Sequence, residues 1–171
     1  MNREKRRIIF DGHCDTPSRI VGGGFRLEES QREGHVDIPR MRKGGLAAQF
    51  FATCVDPDLP RDSWEQVARS TMEKVIEAVD PIKQARIVKS GGEIREAWAE
   101  GIISLMLSVE GGHVISSLSS LENFYRLGMR SLAVTWKNSN EMADSSEGLS
   151  RWGGLSGFGR DIVLEMDRMG G

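Results

Sequence analysis

Along the chain, short apolar runs of strand length alternate with longer stretches of helical period. Residues 7 to 11 read as a first, buried strand, and "LAAQFFATCV" (46 to 55) as a second that is apolar nearly throughout. Near-continuous apolar strands imply burial on both faces, the mark of a parallel sheet. After Pro60, Asp62 and Glu65 stand at capping-box spacing, and Trp64, Val67, Ala68, Thr71, Val75 and Val79 follow at steps of three and four, predicting an amphipathic helix. A shorter helix over about 93 to 100 stops at Gly101, "IISLMLSV" (102 to 109) is a third strand, "SSLENFYRLG" a helix ended by Gly128, and "RSLAVTW" (130 to 136) a fourth strand. The last stretch places Phe158, Ile162, Met166 and Met169 on one helical face before terminal glycines suited to a C-cap.

The order of strand then helix predicts an α/β fold of four βα units. A closed (β/α)8 barrel needs eight strands and about 250 residues. The pattern therefore fits either a small open α/β sheet or the first half of a barrel. Two connections are long, 17 to 44 and the Gly/Ser-rich 137 to 157, and such loops at strand C-termini commonly carry a site.

Composition narrows the options. The 171 residues are 39% hydrophobic with a formal net charge of -2, enough for one real core and no electrostatic footprint for nucleic acid. The basic start, Arg3 to Arg7, is followed by too few apolar residues for a signal peptide, and no apolar run approaches the roughly 20 residues of a membrane helix. Cys14 and Cys54 have no CxxC spacing, so two reduced thiols in a cytoplasmic protein are expected.

Four clusters carry candidate chemistry. In "IIFDGHCDTP" (8 to 17), His13 and Asp15 lie two apart, so in an extended strand both side chains project to one side. They form either a hydrogen-bonded pair or half of a metal site. In "SVEGGHV" (108 to 114), Glu110 follows a buried strand, and two glycines let the backbone pass close to whatever lies above the strand ends. A carboxylate there has the character to bridge two divalent cations, or it is a turn carboxylate of no consequence. Gly111 and Gly112 disfavour a helical Glu-x-x-His motif, and His113 reads as structural. In "GHVDIPRMRKGGLAAQFFA" (34 to 52), Arg40, Arg42 and Lys43 serve either a substrate carboxylate or a solvated face. In "LAVTWKNSNEMADSS", Trp136 either lines a pocket or fills core.

Taken together, DGHCDTP, HVDIPRMRKGG-AAQF, SVEGGH, LGMRSLAVTW-N-N--AD and GL--FGR-IV-EM-R-G occur in order over nearly the whole chain. They resemble the membrane dipeptidase (renal dipeptidase) family of zinc metallopeptidases, in the amidohydrolase superfamily. The resemblance implies the N-terminal half of a (β/α)8 barrel, residues 1 to 171 forming a single partial domain. It further implies hydrolysis of dipeptides and two Zn2+ per complete site. By motif, His13 and Asp15 would be metal ligands, Glu110 the bridging carboxylate that also orients the nucleophilic water, and Trp136 a substrate contact.

Three departures accompany it. Cys14 stands where the family usually has Asn, and Trp136 where many members have a substrate-contacting histidine. Two further ligand histidines and a catalytic aspartate lie on later strands in the family, whereas no histidine follows His113 here. The isolated chain is therefore expected to be inactive or nearly so. The alternative is a non-catalytic half-barrel that covers its sheet edges by forming a homodimer or pairing with a complementary chain. A lactam-type amidohydrolase would more commonly show HxH at positions 13 and 15.

Overall fold

The computed structural model describes residues 8–171, and the chain divides into two compact units. The first comprises residues up to Ala52 together with Thr71–Leu107; the second comprises Thr53–Ser70 and Ser108–Gly171.

Unit 1 is built on strands β1 (Ile9–Asp11), β2 (Leu46–Cys54, which runs to its boundary), β3 (Ala85–Ile87) and β4 (Ile103–Glu110, which continues past it). The strand order is β1-β2-β4-β3, and the β1–β2 and β3–β4 pairs are parallel. Ala47, Ala48 and Phe51 of β2 and Leu105 and Leu107 of β4 are almost wholly buried, as the near-continuous apolar runs require. Strand β1 departs from expectation. It lies at the sheet edge and is exposed, with Ile9 at 48% and Phe10 at 46%, whereas a buried strand was predicted. The start of that prediction, Arg7, lies outside the described residues.

Two short helices interrupt what the sequence presented as one long connection: α1 (Thr16–Gly22) and α2 (Ile38–Gly44). Each has a proline in its first turn, where the missing N–H costs nothing. Seven residues with one proline are too few to reveal a 3.6-residue period. Asp37 caps α2 and explains the HVDIPR segment. Its buried carboxylate accepts from the Arg40 backbone N–H (2.8 Å), the Gln31 N–H (3.1 Å) and the Arg40 guanidinium (2.6 Å). Burial alone would raise its pKa, but these donors outweigh it and hold Asp37 below the usual carboxylate range. Arg40 thus has a structural partner, while Arg42 and Lys43 are exposed.

The helix after Pro60 is α3 (Trp64–Val79), entered through a 3-10 turn at Arg61–Ser63 that replaces the expected capping box; Ser63 Oγ donates to Pro60 O. Ala68, Met72, Val75 and Val79 form its buried stripe. The three-residue β3 went unread because one alternation cannot signal a strand. Helix α4 (Gly91–Glu100) follows, capped by Ser90 and closed by left-handed Gly101.

Unit 2 contains the end of β4, helix α5 (Leu118–Leu127), strand β5 (Met129–Ala133), which pairs with β4, and helix α6 (Gly157–Met169). Ser117 caps α5 and Ser156 caps α6 through their hydroxyls. Phe124, Leu121, Met129, Met142 and Ile162 are fully buried and form its core. Among the described residues, no helix is long and apolar enough to cross a membrane.

Candidate metal centre

In unit 1, β1 ends at Asp11, and His13 and Asp15 follow in the turn into α1 rather than in an extended strand. The pair still meets: His13 Nε2 lies 3.3 Å from Asp15 Oδ1, with both side chains open to solvent. Two local hydrogen bonds and one from β2 hold the turn. His13 N–H donates to Asp11 Oδ1 (3.2 Å), Ser18 Oγ donates to Asp15 O (2.7 Å), and Ala52 N–H donates to Cys14 O (2.9 Å), keeping Cys14 in register with β2. Asp15 occupies the N-cap position of α1, yet its carboxylate makes no capping bond. That carboxylate is turned to the imidazole instead. Cys14, between them, is half-buried, and burial pushes its thiol up despite hydrogen bonding to Thr16.

In unit 2, Glu110 is the last residue of β4 and only partly buried. The ladder continues past it, because Gly111 N–H donates to Ala133 O (3.0 Å) and Gly112 N–H to Val134 O (3.2 Å). Gly111 has φ of +99°, and a Cβ there would come within 2.6 Å of His113 Cε1 and 3.4 Å of Trp136 Cβ. A side chain would collide on a backbone that disfavours one anyway. The same contact seats Trp136 over the turn that follows Glu110, with Lys137 Nζ 4.5 Å from its ring centroid.

His113, read from the sequence as structural, is engaged by neighbours on both sides. Its Nε2 donates to Val55 O at 3.0 Å, and the ring meets Trp64 edge-on with centroids 4.9 Å apart. Burial lowers its pKa, the bond to Val55 offsetting only part, so the ring is held neutral with Nδ1 unprotonated.

The sequence did not disclose the role of Asp144. Its carboxylate accepts from the backbone N–H groups of Arg151 (2.8 Å), Trp152 (2.9 Å), Gly153 (2.7 Å) and Gly154 (3.3 Å) and from Ser150 Oγ (3.0 Å). Its slight burial works the other way, but this nest of donors holds the group far below the usual carboxylate range. The only hint was an acid nine residues ahead of a Gly-Gly pair, Gly153 and Gly154.

Comparison with known proteins decides the family. Residues 3–170 match the model of the membrane dipeptidase family, peptidase family M19. The chain belongs to this family. It is 28% identical to the dipeptidase verJ of Clonostachys rogersoniana over 95% of its length and 46% of that protein's. Among solved structures it is similar to the M19 metallopeptidase dipeptidase AC (27% identity, TM-score 0.81, 95% of this chain and 54% of that one). It is equally similar to a metallopeptidase from Rhodobacter sphaeroides solved with a phosphinate mimic of the dipeptide L-Ala-D-Ala (26%, TM-score 0.81, 95% and 56%). The chain thus spans about half the length of these M19 relatives. Its fold is the α/β, parallel-stranded half of the barrel that the family builds.

Proposed function

We propose that this stretch of an M19 protein supplies His13, Asp15 and Glu110 to the metal centre of a dipeptide-hydrolysing enzyme, with Trp136 contacting the substrate. The observation that carries the reading is the His13–Asp15 pair: a carboxylate at a helix N-cap position that leaves the helix uncapped and faces an imidazole. Each of the three side chains carries an atom able to ligate a cation, and the family motif assigns Glu110 to the same centre as His13 and Asp15. One imidazole nitrogen and two carboxylates form a donor set suited to a borderline divalent cation such as zinc, two of which the complete family site would hold. When bound, the metal supplies Lewis acidity toward the peptide carbonyl and makes water a nucleophile at neutral pH.

The chain's own residues do the rest. Glu110 stands on a strand whose burial fixes its backbone, so its carboxylate is positioned before substrate arrives. Trp136, whose Cβ lies beside Gly111, is the residue we assign to contact the dipeptide. Cys14, with its thiol pushed up and half-buried, stays a protonated bystander.

Zinc titration of the purified chain by calorimetry tests this, with His13→Ala and Glu110→Gln as variants. Each variant should weaken zinc by about tenfold or more. Unchanged affinity in both would end the proposal. A dipeptide hydrolysis assay on the zinc-loaded chain then asks how much turnover these residues sustain alone.

A second reading, a self-associating half-barrel without catalysis, is favoured by one feature: Ile9 and Phe10 stand exposed on the edge strand, with exposed Ile8 just before it. Sedimentation as a dimer with no zinc uptake would select it.

A further inference from the structure

Unit 2 contains a cavity of about 630 Å³ lined by none of His13, Asp15, Glu110 or Trp136. Its volume lies within the range of roughly 300–1,000 Å³ typical of small-molecule sites. Trp64 and Trp152 stand in its wall, backed by Ile115 and Phe158. Both indoles are fixed without a ligand: Trp64 Nε1 donates to Leu59 O (2.9 Å) and Trp152 Nε1 to Asn140 O (3.0 Å). The Asp144 nest holds the Trp152 backbone as well. A ligand reaching this wall has little side-chain freedom left to remove.

The charges are unequally engaged. Arg61 is paired with Glu141 (3.2 Å), and Glu65 accepts from Ser116 Oγ (2.9 Å). Arg151 lies 5.7 Å from the Trp152 ring centroid and, among the described residues, has no carboxylate against its guanidinium. Two carboxylates in the same wall repel a polyanion, whereas one uncommitted guanidinium suits a single carboxylate. Flat indoles favour a planar ring.

We propose that this cavity binds a planar aromatic monocarboxylate, its ring against the tryptophans and its carboxylate on Arg151. The cavity shares no lining residue with the proposed metal centre, and the proposal does not depend on the reading of that centre.

Calorimetric titration of the whole chain with indole-3-acetate, indole-3-acetamide and acetate tests it. Indole-3-acetate should bind saturably, the neutral amide about tenfold or more weaker, and acetate not measurably, since a charge-assisted hydrogen bond contributes about 1.5–3 kcal/mol. Arg151→Gln should remove the preference for acid over amide, Trp152→Ala should weaken both, and His13→Ala should change neither. Absence of saturable binding by the acid, equal binding of acid and amide to the unaltered chain, or an undiminished preference in Arg151→Gln would overturn the proposal. The acid-to-amide comparison needs no variant, so it stands even where a substitution prevents folding.

Discussion

Strand β1 leads to His13 and Asp15, and strand β4 ends at Glu110, but the two are built by different means. Seven of the eight residues of β4 are buried, and its far end continues into a ladder with β5. All three residues of β1 are exposed, and its register with β2 shifts between Ile9 and Phe10. Core packing therefore holds Glu110, whereas His13 and Asp15 are held by hydrogen bonds within their turn and by one bond from β2, Ala52 N–H to Cys14 O. One half of the proposed site is preorganised by a buried strand, the other by an exposed turn tied to its neighbour strand at one point.

The largest expected effect separates the strands by stability. Leu107→Ala, at a fully buried position of β4, should cost about 2–5 kcal/mol in urea unfolding. Ile9→Ala, half-exposed on β1, should cost less than about 1 kcal/mol. Equal losses would mean that β1 is held more tightly than its exposure indicates.

Next come the two turns. A Cβ on Gly12 meets nothing within 4 Å, whereas one on Gly111 meets the His113 ring at 2.6 Å on a left-handed backbone. Gly111→Ala should destabilise by roughly 1–3 kcal/mol, and Gly12→Ala should be close to neutral by the same unfolding measurement.

The smallest effect is a pH dependence confined to the β4 side. The folded pKa of His113 is depressed, so the unfolded chain binds its proton more readily. The resulting stability is present above the ordinary histidine pKa of about 6.5 and is lost as pH falls through the lower folded value. His113→Phe should flatten that part of the curve of melting temperature against pH, and a curve unchanged by the substitution would contradict the assignment.

The same contrast explains what the sequence could disclose. Strands β2 and β4 were legible because burial on both faces leaves a continuous apolar run, and α3, α5 and α6 because ten or more residues display a period. Strand β3 and helices α1 and α2, at three and seven residues, are too short to do so. The exposure of Ile9 and Phe10 was hidden, since an apolar residue reads alike at a sheet centre and at its edge. His13, Asp15 and Glu110 stood out through motif order, and the spacing marked His13 and Asp15 as a pair, although a turn and not an extended strand brings them together. The Asp144 nest and the Arg151–Trp152 wall depend on contacts within an irregular loop, where no period exists to be read.

X-ray absorption of the zinc-loaded chain tests the central claim most directly. Nitrogen and oxygen scatterers alone, at about 2.0–2.2 Å, with an imidazole contribution that disappears in His13→Ala, are the predicted result. A sulfur scatterer near 2.3 Å, which would place Cys14 or Cys54 on the metal, or an imidazole signal that survives in His13→Ala, would contradict it.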